Sequence, residues 1–283
     1  MRKLWLVLGA AAGLSIAVVA IGDPQTGCTV WVEPGASLQA AIAAAPPGAV
    51  ICLPQGSWEE NLIITKSVTI RGQGAERTRI SWSGGTDPFF ISQPVIWIKG
   101  EGEPITVIIE DLAIQGPPGS GSWWGLPHGL VAQGTAWVEV RGVRVSGNPG
   151  IGIWLSESAQ GAIRDTAVLE NEHGVLLSDE AQATLEGVRA AHNRMHNIAL
   201  GGASRARITN SIVEEAGFYG VTVGEQAQLT LSECQLIGGA NGLVVAGEAE
   251  AVVNNCLIKN AEFDGVLLMG SPQLRLFRST ITG

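Results

Sequence analysis

Basic residues are scarce in this chain: 17 Lys and Arg stand against 26 Asp and Glu among 283 residues. Affinity for nucleic acid rests on Lys and Arg that neutralise phosphates, so the composition argues against a nucleic-acid-binding protein. Polyanionic ligands are disfavoured too, unless a local basic patch exists. Charged residues make up only 15% of the chain, whereas Gly is enriched at 38 residues, and this balance argues against disorder.

Cysteine is also sparse, and four residues are too few for a disulfide scaffold at this length. Cys28 and Cys52 flank the first helical segment and could pair in an oxidising compartment. Cys234 and Cys256 fall in one inward-facing column of the repeat described below. We interpret them as stacked, buried thiols that act as small hydrophobic groups. A disulfide or a soft-metal pair is the alternative.

One long apolar run occurs, at the N-terminus over residues 4–21, directly after two basic residues. Ala20 and Gly22 are small residues at positions that a signal peptidase reads, so we predict a signal peptide over 1–22 and a mature domain over 23–283. The mature protein is then secreted or periplasmic. An uncleaved N-terminal anchor is the alternative, because the run is close to the length that spans a bilayer. Membrane association is expected only in that case.

A repeat of 22 or 23 residues dominates the second half of the chain. A small residue, an aliphatic residue, any residue and another aliphatic residue recur, beginning at Gly129, Gly152, Gly174, Asn197, Gly220, Gly242 and Gly265. Two further runs of alternating hydrophobicity follow in each unit, so each repeat holds three strands. No segment between them is long enough for a helix, and equivalent strands must therefore stack in parallel. The predicted fold is an all-β, single-stranded right-handed parallel β-helix of three sheets and about nine or ten rungs.

The two ends of this coil differ. Residues 37–45 are rich in Ala and place Leu38 and Ile42 on one face, with Ser37 as N-cap and a Pro-Pro-Gly sequence as the stop. Such a short helix would cover the open end of the coil, as terminal repeats require. The last rung has no such cap. We therefore expect self-association at the C-terminal end, or a sequence shorter than the natural product.

Three N-terminal segments carry a family resemblance: VEPGASLQAAI at 32–42, GAVICLPQGSWEEN at 48–61 and VTIRG at 68–72. They resemble the opening of pectin-lyase-like right-handed β-helix proteins. The later rungs are similar to repeats of the NosD type, with NCLIKN at 255–260 as the best match. The resemblance covers nearly all of 29–283 and implies the fold, and the NosD likeness implies a periplasmic protein linked to copper delivery. It implies no single activity, because fold does not determine function.

The outward-facing column of the first strand is apolar where water should reach it. Its members are Ile63, Trp97, Val131, Trp154, Leu176, Ala199, Thr222, Val244 and Leu267. A contiguous exposed apolar strip marks an interaction surface. Three interpretations stay open: a long turn over 115–127 covers the strip, a protein partner or second copy docks there, or a glycan stacks on it. The candidate ligand-binding residues are Trp97, Trp123, Trp124, Trp154 and Leu176.

A second candidate site lies in the turns before the first strand. These turns hold His128, His173, His192 and His196, together with Glu170, Glu172, Glu214, Glu215 and Tyr219. His173 and His196 occupy stacked turns about one strand spacing apart. Imidazole and carboxylate suit zinc or copper, and a His with a shifted pKa could act as a general base. The catalytic candidates are therefore His173, His196, Glu170, Glu172 and Glu215, with His173 and His196 as the candidate metal ligands.

Chance clustering in turns, where polar residues must lie, is the alternative explanation of these histidines, and we predict no resident cofactor. Asn148, Asn171 and Asn193 share a turn column and should form a ladder of side-chain amides. The resemblance implies catalytic acids, calcium ligands or basic residues on the first-strand sheet, but the matching positions here are apolar. We therefore predict an exported scaffold that binds a carbohydrate or protein partner without catalysis. A polysaccharide lyase or hydrolase and a NosD-like metal-handling protein are the alternatives.

Overall fold

The computed structural model describes residues 5–6, 19–21, 27–84, 93–117 and 127–283. Within these residues the chain winds into a parallel β-solenoid of three sheets and about ten turns, with one short helix. The predicted fold class is confirmed. No helix among the described residues is both long and apolar enough to cross a membrane.

From Leu62 onward, each turn contributes one strand to each sheet. The first sheet contains Leu62–Ile64, Ile96–Gly100, Leu130–Gly134, Ile151–Leu155, His173–Leu177, His196–Leu200, Tyr219–Val223, Asn241–Gly247 and Asp264–Gly270. The second sheet contains Trp5–Leu6, Val19–Ile21, Val30–Val32, Ala49–Cys52, Val68–Arg71, Thr106–Glu110, Trp137–Arg141, Gln160–Arg164, Gln182–Glu186, Arg205–Thr209, Gln228–Ser232, Glu250–Asn254 and Gln273–Phe277. The third sheet contains Gly56–Glu59, Thr78–Ser81, Ala113–Gln115, Arg144–Ser146, Ala167–Leu169, Arg189–Ala191, Ile212–Glu214, Gln235–Ile237, Leu257–Lys259 and Thr280–Thr282. All pairings are parallel except the two that involve Val19–Ile21.

The core consists of aliphatic columns that stack in register along the coil. Leu130 pairs with Ile153, which pairs with Val175 and then Ile198, and all four side chains are fully buried. Alternation along each strand sends these residues inward and their neighbours outward. The 22 or 23 residue period read from the sequence therefore returns each aliphatic residue to the same place in the core.

The helix Leu38–Ala44 closes the N-terminal end, and the hydroxyl of its N-cap Ser37 accepts a hydrogen bond from the Ala40 N–H. Glu60 adds a cap that the sequence did not reveal, since its carboxylate accepts from the N–H groups of Leu38 and Gln39 at 2.8 and 2.9 Å. Nearby, Cys28 and Cys52, whose positions allow them to pair, form a disulfide. The first rungs are therefore fixed both by a covalent bond and by a capped helix.

The corner between the third and first sheets differs in length along the coil. In the later turns three or four residues connect the two strands, as from Ser146 to Ile151 or from Leu169 to His173. In two earlier turns the connections run from Ser81 to Ile96 and from Gln115 to Leu130, 14 residues each. The longest connections thus lie at this corner, and shorter extensions occur at the other two corners, from Arg71 to Thr78 and from Gly100 to Thr106. All of them lie between strands, because an insertion within a strand would break the register.

Hydroxyl and thiol side chains form another column just after the second sheet. Its members are Thr166, Ser211, Cys234, Cys256 and Ser279, and each donates to the carbonyl oxygen two residues earlier. Cys256 Sγ also accepts from the Cys234 N–H at 3.4 Å, as Ser279 Oγ accepts from the Cys256 N–H at 3.1 Å. Cys234 and Cys256 are both free and buried, so the interpretation as stacked thiols is confirmed.

Replacement of Cys256 by Ser is expected to change the free energy of unfolding by less than about 1 kcal/mol, because a serine hydroxyl makes the same two hydrogen bonds at Ser211 and Ser279. Cys256→Val removes both bonds and should cost about 1–3 kcal/mol. Urea denaturation of the two variants measures the difference. Equal losses for Ser and Val would show that the hydrogen bonds of this column do not contribute.

Candidate functional site

A ladder of buried asparagine amides holds the turns that lead into the first sheet. Asn148 Nδ2 donates to Asn171 Oδ1 at 2.7 Å, Asn171 Nδ2 to Asn193 Oδ1 at 3.0 Å, and Asn193 Nδ2 to Asn197 Oδ1 at 2.7 Å. The predicted ladder of three residues is confirmed, and Asn197 extends it by a fourth. Its Nδ2 ends the chain of bonds on the Glu214 carbonyl oxygen at 2.8 Å. These turns are consequently rigid, and so is the position of the side chains that they carry.

Aromatic and imidazole rings lie beside this ladder, on the strands of the first sheet and in the turns that lead into them. Their centroids are separated by 5.4 Å for His128 and Trp154, 5.2 Å for His173 and His196, and 5.0 Å for His196 and Tyr219. Every pair is edge-to-face, the geometry that ring quadrupoles favour. We call the ring strip the set His128, Trp154, His173, His196, Phe218 and Tyr219. Five of the six rings are half-buried, and Phe218 is exposed.

The parallel register explains why these rings come together. His196 pairs directly with Tyr219 across neighbouring strands, and His173 begins the strand before them. Gly174 follows His173 and allows close approach, since a Cβ there would lie 2.2 Å from the Asn197 carbonyl oxygen. The strand starts are thus packed as tightly as backbone permits, which brings rings of consecutive turns into contact.

Burial keeps the imidazoles of the ring strip uncharged. It lowers the pKa of His128 to about 4, with a further contribution from nearby His173, and lowers the pKa of His196 to about 4 for the same two reasons. Burial also lowers the pKa of His173, against the opposing effect of Glu172. His128 Nδ1 accepts a hydrogen bond from the Ile151 N–H at 2.9 Å, so its proton lies on Nε2. At neutral pH the strip therefore offers neutral rings with polar nitrogen atoms.

The carboxylates predicted for this site take other roles. Glu172 is buried and accepts two hydrogen bonds from the guanidinium of Arg194, so its charge is already paired. Glu170 and Glu215 lie in exposed turns with positive φ of 57° and 49°. His192, the fourth histidine, is exposed in the same kind of turn and not among the rings in contact. Only His173 and His196 of the catalytic candidates thus belong to the ring strip.

Glu214 pairs with Arg189 at 2.6 Å on the third sheet. No group of three or more His, Cys, Asp or Glu in the described ranges is arranged to hold a metal ion. The geometry therefore provides ring surfaces and neutral nitrogen atoms, and it provides no free carboxylate pair beside them among the groups predicted.

The outward-facing column of the first sheet is only partly open to solvent. Trp97, Val131 and Val244 are buried, with 7%, 4% and 0% of their surfaces exposed. Lys99 explains the first of these, because its Nζ lies 3.7 Å from the centre of the Trp97 ring and covers one face. Trp97 Nε1 donates to Gln133 Oε1 at 2.6 Å as well. Trp97 is therefore largely covered by its neighbours.

The remaining ligand-binding candidates divide into two groups. Trp154 and Leu176 are half-buried and reach the surface, and Trp154 Nε1 donates to Ser178 Oγ at 3.1 Å, which orients the indole. Trp123 and Trp124 lie outside the described residues. Trp154 also contacts His128, one of the four histidines of the second candidate site, with ring centroids 5.4 Å apart.

Comparisons with known proteins agree with the architecture. The family described as "Right handed beta helix region" matches residues 128–281. An alginate lyase from Paenibacillus sp. str. FPU-7 is similar in structure, with a TM-score of 0.63 and 13% identity over 89% of this chain and 98% of that chain. No curated protein sequence is similar enough to count as a match.

Two further solved structures share the fold. The pectate lyase Pel9A has a TM-score of 0.55 and 13% identity, covering 87% of this chain and 73% of that chain. The catalytic domain of a GH87 α-1,3-glucanase has a TM-score of 0.52 and 11% identity, covering 93% of this chain and 69% of that chain. At these identities the likeness shows the fold alone.

Proposed function

The chain belongs to the right-handed β-helix family, and from that premise we propose that it binds a carbohydrate chain along the ring strip of the first sheet. The observation that carries the proposal is a set of partly exposed rings on successive turns, in contact as His128 with Trp154 and as His173 with His196 and Tyr219. Sugars present apolar C–H faces and hydroxyl groups, and rings with polar atoms complement both. The structural neighbours with TM-scores above 0.5 include enzymes whose names refer to alginate, pectate and α-1,3-glucan.

The shape of the ring strip favours a polymer as the ligand. Consecutive turns of the coil are about 4.8 Å apart, and the strip spans the turns that carry Trp154, His173, His196 and Tyr219. A single sugar would touch only one or two of these rings. Export to the periplasm or the exterior, predicted from the leader, belongs to this proposal, because polysaccharides of that kind are encountered there.

The pKa values favour binding over catalysis. An efficient general base has a pKa near the working pH. Burial holds the pKa of His128 and His196 at about 4, so both imidazoles are weak bases at neutral pH. Their neutral nitrogen atoms still donate and accept hydrogen bonds to sugar hydroxyls. We therefore propose a binding scaffold, with a polysaccharide lyase or hydrolase centred on His173 and His196 as the alternative.

Purified protein should be tested against oligosaccharides of alginate, polygalacturonate and α-1,3-glucan by calorimetry and tryptophan fluorescence. We expect one of them to bind, with an affinity at least about tenfold weaker for Trp154→Ala and for Tyr219→Ala. Phe277→Ala is the matched control, because Phe277 is an exposed ring on the second sheet. Equal affinity of the Trp154 and control variants, or no binding at all, would contradict the proposal. Products that disappear in His196→Ala would identify the enzyme alternative.

A further inference from the structure

A shallow groove of about 340 Å³ crosses the outer face of the second sheet, on a different side of the coil from the ring strip. It spans the strands Gln160–Arg164, Gln182–Glu186, Arg205–Thr209 and Gln228–Ser232, and Trp137 lies at one end. Small residues line it between the outward side chains, including Gly161 and Ala183. The groove runs along the coil axis, across consecutive turns.

Two arginines occupy the centre of this groove. Arg205 and Arg207 are exposed and alternate on one strand, so both side chains point outward. Neither guanidinium forms an ion pair within the part of the chain that the structure describes. The groove therefore presents two adjacent positive charges that this chain does not neutralise.

The neighbours of these arginines are neutral in both directions along the sheet. Gln182 and Gln228 flank Arg205 in register. Thr184 and Thr230 flank Arg207 in the same way. Amide and hydroxyl side chains of this kind can bond to sugar hydroxyls as both donors and acceptors.

Three other arginines of the second sheet have acidic partners. Arg71 and Arg141 both contact the buried carboxylate of Glu110, and Arg164 lies 3.0 Å from Glu139. In a chain with a formal net charge of −9, three of the six arginines of this sheet thus have an acidic partner close by. Arg205 and Arg207 form a local basic patch of the kind that a polyanionic ligand would need on this acidic chain.

We propose that this groove binds a linear polysaccharide whose sugars carry carboxylates. Guanidinium groups bind carboxylates through paired hydrogen bonds, and the flanking amides and hydroxyls suit the sugar hydroxyls. Trp137, with 41% of its surface exposed, provides a ring face at the end of the groove. An acidic peptide could satisfy the arginines alone but would leave the four neutral polar side chains without matching hydroxyls. The proposal does not depend on the ring strip, which lies on another sheet.

The test compares hexagalacturonate with its methyl ester, which keeps the sugar backbone but removes the charge. We expect the acid to bind at least about tenfold more tightly than the ester, and more weakly as salt is raised. The double variant Arg205→Gln/Arg207→Gln should lose that preference while its affinity for the ester stays the same. Arg164→Gln is the matched control, since it removes a paired arginine from the same sheet. Circular dichroism checks that each variant is folded.

The same titrations repeated in Trp154→Ala separate this groove from the ring strip. The preference for the acid should persist there, because Trp154 is on the first sheet. Equal binding of acid and ester, an unchanged preference in the double arginine variant, or loss of the preference in Trp154→Ala would each overturn the proposal. Tighter binding of poly-glutamate than of hexagalacturonate would also overturn it and assign the groove to acidic peptides.

Discussion

Acidification is expected to destabilise the fold, and the titration of His128 alone should lower the free energy of unfolding by roughly 3 kcal/mol. Each unit of pKa difference between the folded and unfolded chains corresponds to about 1.4 kcal/mol. The pKa of His128 is about 4 in the folded protein against an ordinary value of 6.5. Between these values the unfolded chain binds a proton and the folded chain does not, so stability is complete above pH 6.5 and falls as the pH approaches 4. His196, with the same lowered pKa, adds to the loss.

Urea denaturation at several pH values measures this loss, and two variants assign it. His128→Asn removes the titrating group but keeps an acceptor for the Ile151 N–H, so the dependence on pH should become shallower. His192→Asn changes an exposed histidine and should keep the slope of the native protein. The assignment to His128 would be wrong if both variants lost stability with acid as steeply as the native chain. Glu110, whose pKa is lowered by its contacts with Arg71 and Arg141, adds a loss only at lower pH.

Asn171→Ala is expected to cost about 3–5 kcal/mol of folding free energy, because each buried group left without a partner costs about 1–3 kcal/mol. The Asn171 amide accepts from the N–H and Nδ2 of Asn148, and it donates to the Val145 carbonyl oxygen and to Asn193 Oδ1. The side chain is 2% exposed, so water cannot replace these bonds without entering the coil.

Asn254→Ala is the control for this prediction, since Asn254 faces solvent on the second sheet. It should change the free energy of unfolding by less than about 0.5 kcal/mol. Thermal or urea unfolding of both variants gives the comparison. Losses of similar size would mean that the amide ladder does not stabilise the turns below the ring strip.

The parallel coil could be predicted because the residue types that its packing requires recur at a fixed period in the sequence. Gly152, Gly174 and Gly220 each begin a first-sheet pattern at a place where backbones approach closely, and the aliphatic residues after them must point inward. Asn197 stands in the same column, where the repeat pattern predicts a small residue. Its amide instead completes the ladder by bonding to Asn193. An Asn in a column of glycines was the available signal.

Whether an outward-facing side chain is exposed to solvent was harder to predict than the side of the sheet on which it lies. Alternation correctly places Trp97, Val131 and Val244 on the outer side of the first sheet. Alternation does not predict whether side chains of the adjacent strands, about 4.8 Å away, pack over them. In the structure these three side chains are buried. Lys99 was a usable signal for Trp97, since residues two apart on a strand share a face.

The ion pairs of the second sheet could not be predicted from the sequence, for a different reason. Glu110 pairs in register with Arg71 on one side and Arg141 on the other. The connections that separate these strands are longer than those of the later repeats, so counting in steps of 22 or 23 does not align them. Contacts between repeats of unequal length require the three-dimensional register itself.

The two long connections between the third and first sheets have an implication for how such a protein diversifies. Both enter at the corner beside the outer face of the first sheet, from Ser81 to Ile96 and from Gln115 to Leu130. Length changes in these connections leave the stacked strands in register, whereas an insertion within a strand would disturb its pairing. Variation in these two connections would therefore change the surface beside the first sheet while the stacked strands stay the same, much as variable loops do on other rigid scaffolds.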